Sequence, residues 1–138
     1  MRACIDITLA PLGNVTIDSA GDQVFPSPER APGVYRFAMK RGGWRGVYIG
    51  EADVMTRRFQ HYRKPGPTQY TNIRIHEQIA DTLGSGGRVN VDVAYLGTLT
   101  IDGAAVTLDL TTKAGRALAE SALLADEIAR GHGEILNL

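Results

Sequence analysis

Apolar and polar residues alternate along "CIDITLA" (4–10) and again along "NVTIDS" (14–19). Alternation of this kind marks strands with one face turned inward. With Pro11-Leu12-Gly13 between them, the two predict a small amino-terminal hairpin. "FPSPERAPG" follows, with Pro26, Pro28 and Pro32, and reads as a loop. "GVYRFAMKRGGWRGVYIG" then predicts a strand over about 33–40, a turn, and a strand over about 45–50. Asp53 can cap a helix running to about Tyr62, where "RKPGP" breaks it. Thr68 or Thr71 can start a second helix, ending near Leu83 before "GSGG". "RVNVDVAYLG" has the period of a strand, and "TLTIDGAAVTLDL" extends it into a hairpin through Asp102-Gly103. Thr111 or Thr112 can cap a last helix over about 113–130, stopped by Gly131. From residue 33 the order is strand, strand, helix, helix, strand, helix. An antiparallel sheet with helices beside it is an α+β layer fold.

The 138 residues suit one domain, and 43% apolar content is enough for one core. Basic and acidic residues balance at 15 each. Their distribution is uneven: residues 31–90 hold 10 Lys/Arg and 4 Asp/Glu, a net of +6, and the remainder nets −6. That points either to a local anion-binding face or to a solvated basic surface. Cys4 is the only cysteine, which rules out an internal disulfide and a cysteine-rich zinc site. No apolar run approaches the ~20 residues of a membrane span. The expected location is cytoplasmic.

Tyr35 and Tyr48 sit one in each strand of the central hairpin. A turn at Arg41-Gly42 pairs Tyr35 with Tyr48. A turn at Gly42-Gly43 pairs Tyr35 with Gly50 and Tyr48 with Phe37. In both registers the two phenols share a face. Arg58 and Tyr62, four apart, share a helical face with Val54, next to a core stripe of Met55 and Phe59. Arg58 can hold a phosphate bidentately, or can cover apolar surface with its stem. Glu120 falls on or beside the apolar stripe of Ala117, Leu124 and Ile128. It can bind a hard cation through oxygen, or can pair with Arg116 one turn earlier.

"GVY" (33–35), "VYIG" (47–50), Arg58 ten residues after Tyr48, a late Glu120 and Asn137 beyond it resemble the GIY-YIG nuclease family. The resemblance covers about residues 33–138. It leaves residues 1–32 outside, as a hairpin extension and linker. It implies a small three-stranded antiparallel sheet flanked by helices, with the segment 98–112 as an added strand or hairpin. The implied activity is metal-dependent endonucleolytic hydrolysis of DNA, with one Mg²⁺ or Mn²⁺. By position, Tyr35 would activate or orient the attacking water, with Tyr48 assisting. Arg58 would stabilise charge on the phosphoryl oxygens, and Glu120 would bind the cation. Tyr62 fills the place four residues after the arginine, where His61 next door could compete, and Asn137 would help shape the site.

Lys40 and Arg45 near the hairpin tip are further candidates for substrate contact, and Trp44 between them could stack on a base or pack on the sheet. His76 reads as structural, and "GHGE" with His132 and Glu134 as a loop. A free tyrosine, with pKa ~10, is a poor base at neutral pH. The expectation is that a metal-bound water or the charge of Arg58 lowers that value or relays the proton. Two other readings remain: a non-catalytic nucleic-acid-binding module, and a cleavage subunit that needs a DNA-targeting partner. One active site cuts one strand, so a double-strand break would require a homodimer or sequential action.

Overall fold

The computed structural model describes residues 1–137. Its elements are β1 (Ala3–Asp6), β2 (Ala10–Asn14), β3 (Thr16–Ile17), β4 (Gln23–Val24), β5 (Gly33–Arg41), β6 (Trp44–Ala52), α1 (Met55–Arg63) and α2 (Tyr70–Gly84). After these come β7 (Arg88–Ala94), β8 (Gly97–Ile101), β9 (Ala104–Leu108), α3 (Lys113–Arg130) and β10 (Glu134–Ile135). The α+β class is as the pattern predicts. The main sheet has five strands in the order β10-β6-β5-β7-β2. Its centre, β6-β5-β7, is antiparallel, but the sheet has five strands where the resemblance implies three. Two edge strands enlarge it: β2 runs antiparallel to β7, and β10 parallel to β6.

Period two divides the central strands. Tyr35, Phe37 and Met39 of β5, Tyr48 of β6, and Val89, Val91 and Val93 of β7 turn to one face. There they meet Met55, Phe59 and Tyr62 of α1 and Ile75 and Ile79 of α2, which makes the larger core. On the other face, Val34 and Ala94 pack with Ala119 of α3 and with Leu108 and Leu110. The hairpin turn is Gly42-Gly43, since Arg41 pairs with Trp44 and Tyr35 with Gly50. Gly42 takes φ 54, a left-handed conformation that glycine enters freely.

The expected amino-terminal hairpin does not form. β1 pairs with β8 instead, in a second sheet ordered β1-β8-β9, and β2 joins the main sheet. Alternation says that a segment is a strand but not which partner it takes. Pro11-Leu12-Gly13 is a bulge inside the edge strand β2, where the register with β7 shifts between Pro11 and Gly13. Proline is tolerated at such edges and bulges because no ladder hydrogen bond is lost. The Asp102-Gly103 turn does close the β8–β9 hairpin, with both residues at positive φ (49° and 82°). Arg2 N–H donates to the Asp102 carboxylate at 2.8 Å, tying β1 to that turn.

Helix ends follow the sequence in part. α3 begins after Thr112, whose hydroxyl accepts from Gly115 N–H at 3.0 Å, and stops at Gly131 with φ 65. α1 is not capped by Asp53: its cap position is Val54, and the Asp53 carboxylate accepts from the Val54 N–H at 2.9 Å. α2 begins at Tyr70 rather than at either threonine. Gln69 precedes it, and its side-chain oxygen accepts from Gly66 N–H and from Asn72. No helix among the described residues is long and apolar enough to cross a membrane.

Candidate active site

Three phenols meet under α1. Tyr35 comes from β5, Tyr48 from β6 and Tyr62 from the helix that follows the hairpin. The Tyr35 and Tyr62 hydroxyls lie 2.6 Å apart, and Tyr62 donates to the Tyr48 hydroxyl at 3.2 Å. Tyr62 has one hydrogen to give, so Tyr35 donates to Tyr62. The chain then runs outward, Tyr35 to Tyr62 to Tyr48, and leaves the Tyr48 hydrogen free. Tyr35 and Tyr62 are 1% and 0% exposed, and Tyr48 is the most exposed of the three at 9%. Tyr48 is therefore the phenol at the mouth.

Gly33 and Gly50 are spatial requirements of this cluster. A Cβ on Gly50 would collide with Cζ and the hydroxyl of Tyr35, its cross-strand partner. One on Gly33 would come within 2.6 Å of the Ala94 carbonyl and 2.8 Å of Met55 Cε.

Burial raises the pKa of Tyr35 well above that of a free phenol, and Tyr48 adds to the rise. The hydrogen bond to Tyr62 and the charge of Arg58 act the other way without offsetting it. Tyr62 is likewise pushed up, by burial and by Tyr35 and Tyr48. The expected lowering of Tyr35 by Arg58 is thus overturned: desolvation of a phenolate in this core outweighs one half-buried guanidinium. Tyr35 is a neutral hydrogen-bonding group.

Arg58 is half-buried beside the phenols and has no acidic partner within salt-bridge distance among the described residues. Burial opposes its charge, but the Glu51 carboxylate acts in its favour, and it stays protonated. Arg58 and His61 line one shallow cavity of about 440 Å³ with Gln69, Tyr70 and Asn72. Glu120 is half-buried on α3, and its charge acts on Tyr35. Burial raises its pKa, and the neighbouring Glu51 carboxylate raises it further against the pull of Lys113 and Arg58. Tyr35, Tyr48 and Tyr62 thus form one hydrogen-bonded cluster, Arg58 and Glu120 act electrostatically on Tyr35, and His61 shares a cavity wall with Arg58.

Other candidates fall elsewhere. Lys40 and Arg45 point to the opposite face of the sheet from the phenols, a correction with a simple cause. Lys40 is five residues from Tyr35 and Arg45 three from Tyr48, and odd separations change face. The Asn137 amide is fully engaged with one backbone: its oxygen accepts from Ile49 N–H at 3.0 Å and its nitrogen donates to Ile49 O at 2.8 Å. It continues the β10–β6 pairing beside "VYIG" and so holds that strand in place. Trp44 packs over Gly46, where a Cβ would lie 2.5 Å from its ring, and its indole donates to Glu134 at 2.8 Å. His76 is structural, with Nδ1 2.8 Å from Tyr62 O.

The sequence reading missed Glu51. Its carboxylate follows "VYIG" on β6 and accepts from Arg116 Nε at 2.6 Å and from Lys113. Burial would raise its pKa, but these two hydrogen bonds hold it below the usual carboxylate range. Arg116 is thus taken by Glu51, and the Arg116–Glu120 pair weighed from the sequence is not made. A signal was present: Lys113 and Arg116 crowd the first turn of α3, where the helix dipole disfavours cations unless a carboxylate faces them.

A central antiparallel trio with phenols on one face and helices on both defines an α+β fold of a particular class. The solved structure of an alanine mutant of EndoII from bacteriophage T4 is similar in overall fold, with a TM-score of 0.55 and 16% identity. The match covers 84% of this chain and 88% of that chain, and at such identity the likeness is one of fold. No protein-family model matches the sequence, and no curated protein matches it.

Proposed function

We propose that the chain is an endonuclease of the GIY-YIG type that hydrolyses DNA phosphodiester bonds with the help of Mg²⁺ or Mn²⁺. One observation carries the reading: a guanidinium and a carboxylate, neither with a salt-bridge partner among the described residues, both act on the innermost of three hydrogen-bonded phenols. Packing alone asks for none of these polar groups. The likeness in fold to a phage endonuclease, and the "GVY" and "VYIG" motifs, point the same way.

Phosphodiester hydrolysis needs positive charge where the transition state gathers negative charge. Arg58 supplies two parallel N–H donors for the phosphoryl oxygens, and among the described residues no acidic partner competes for them. The Tyr48 hydrogen, left free by the outward hydrogen-bond chain, holds a phosphate oxygen or the attacking water. Tyr35 and Tyr62 stay neutral at the back of the site. They fix the orientation of Tyr48. His61, on the same cavity wall as Arg58, contacts the backbone next to the scissile group.

Glu120 is the carboxylate for the cation. Mg²⁺ commonly keeps several waters and takes one or two carboxylates, which fits a single acidic side chain with no other partner. Among the described residues there is no group of three or more His, Cys, Asp or Glu side chains that could cage a metal. A cation held there would neutralise the phosphoryl group and the leaving oxygen.

Nicking of supercoiled plasmid in Mg²⁺ tests the proposal. Arg58→Ala should slow it by about 10²–10³, the cost of removing one transition-state donor. Glu120→Ala should abolish it, and Tyr35→Phe should lower it across the pH range. Full activity of Glu120→Ala removes Glu120 as the cation ligand, and no cleavage by the wild type with any divalent cation rejects hydrolysis as the function.

A further inference from the structure

The face of the sheet turned away from the phenols carries charge that the proposed hydrolysis does not use. Strand register sets Arg45 of β6 beside Lys40 of β5, and Lys40 beside Arg88 of β7. With strands spaced ~4.8 Å apart, three cations form one row about 10 Å long. All three are exposed, and none has an acidic partner within salt-bridge distance among the described residues. Glu134 next to Arg45 accepts from the Trp44 indole, and Asp92 and Glu127 farther along the sheet are both occupied by Arg36. That contact marks the last turns of α3, past which the sheet face is left open.

The row lines a cleft of about 350 Å³, floored by Ala38 and Val47 and walled by Arg36, Asn90 and His132. Like charges directly opposite one another weaken a sheet. Three in succession weaken it twice, and an anion laid along them removes the repulsion. One free phosphate cannot reach from Arg45 to Arg88. A chain of phosphates can, and the apolar floor suits the sugars between them.

We propose that this cleft is a second phosphate-binding site, separate from the phenols, which seats the sugar–phosphate backbone of a nucleic-acid strand. A strand held here lies across the sheet from the cutting site. It can pass to the phenol side around the hairpin tip, where Arg41, stacked on Trp44 at 4.4 Å, faces the other way.

The test is binding of a short fluorescein-labelled single-stranded DNA by anisotropy, in EDTA so that nothing is cut. Removing three phosphate contacts should lower the slope of log affinity against log salt by about 2. The gap between wild type and Lys40→Gln/Arg45→Gln/Arg88→Gln should therefore narrow about 20-fold between about 50 and 200 mM salt. Lys40→Arg/Arg45→Lys/Arg88→Lys should bind like wild type. The same loss should appear in an Arg58→Ala background, since the sites are separate.

Thermal melting of the triple variant should be unchanged or higher, because repulsion is relieved. Should it fold poorly, Arg88→Gln alone should reduce the slope by about 0.7. Equal affinity and slope for wild type and the glutamine variants overturns the proposal. So does a loss that vanishes in the Arg58→Ala background. A third outcome against it is perturbation of the Asn90 and His132 NMR signals by inorganic phosphate but not by the oligonucleotide. Plasmid nicking is independent of this readout, so failure of the hydrolase reading would leave a positive binding result standing.

Discussion

At the scale of single residues, Gly50 and Glu120 show opposite ways of serving a site. Gly50 serves by having no side chain, since the Tyr35 hydroxyl lies where its Cβ would stand. Gly50→Ala must push the Tyr35 ring out of the phenol chain. Overpacking of a filled core costs about 1–3 kcal/mol, which urea unfolding would register, and nicking should fall with it. Glu120 serves by carrying a charge that its surroundings oppose. Its folded pKa is raised, so its contribution to stability is intact below the ordinary carboxylate value and is lost as pH climbs through the folded value. Glu120→Gln should therefore melt higher than wild type at neutral pH, with the difference closing in acid, while losing nicking activity. A Glu120→Gln protein less stable than wild type at neutral pH would contradict this account. The same shift means that Mg²⁺ binding should strengthen as pH rises past the usual carboxylate range.

Among elements, the join between α3 and β6 holds Glu120 in place. Glu51 (9% exposed side chain) and Arg116 (8%) form a buried pair, and Arg116 also donates to the carbonyls of Leu110 and Thr111 at 3.2 and 3.0 Å. Arg116→Ala strands the Glu51 carboxylate with only the exposed Lys113 for company. The expected loss is about 3 kcal/mol, the lower end for breaking a buried pair. Because the Glu51 pKa is lowered, this stabilisation is present above the ordinary carboxylate value and lost as pH falls through the folded one. The difference between wild type and Arg116→Ala, measured by chemical unfolding, should thus shrink in acid.

Elements were legible in the sequence where local chemistry determines them. Asp102-Gly103 demands a two-residue turn, Thr112 and Gly131 bracket a helix, and the two tyrosines share a face in either hairpin register. What was not legible depends on distant partners. Nothing near Cys4 or Ile5 says that their strand pairs with β8, and nothing near Glu51 says that Arg116 will arrive 65 residues later. Lys40 and Arg45 are a different case, because counting residues from Tyr35 and Tyr48 was enough to place them on the far face.

For the whole molecule, burying phenols has a cost in alkali. Five tyrosines are present, and burial raises Tyr35 and Tyr62. Their folded pKa values exceed the unfolded value of ~10, so the stability they contribute is complete below that pH and drains away above it. Ultraviolet titration should show at least these two phenols withheld from ionisation until the protein unfolds. Titration of all five near the free value, with the fold intact, would show that the phenol cluster is open to water.

The pairing of β1 with β8, Ala3 against Ile101, has a consequence for how the chain is made. Its first strand emerges from the ribosome about a hundred residues ahead of the edge that receives it. Translation at roughly 5–20 residues per second leaves that strand waiting for about 5–20 s. The second strand waits almost as long for β7. Nascent chains halted before residue 88 should therefore carry a loose, protease-sensitive head, and the head should become resistant only once both receiving strands are out.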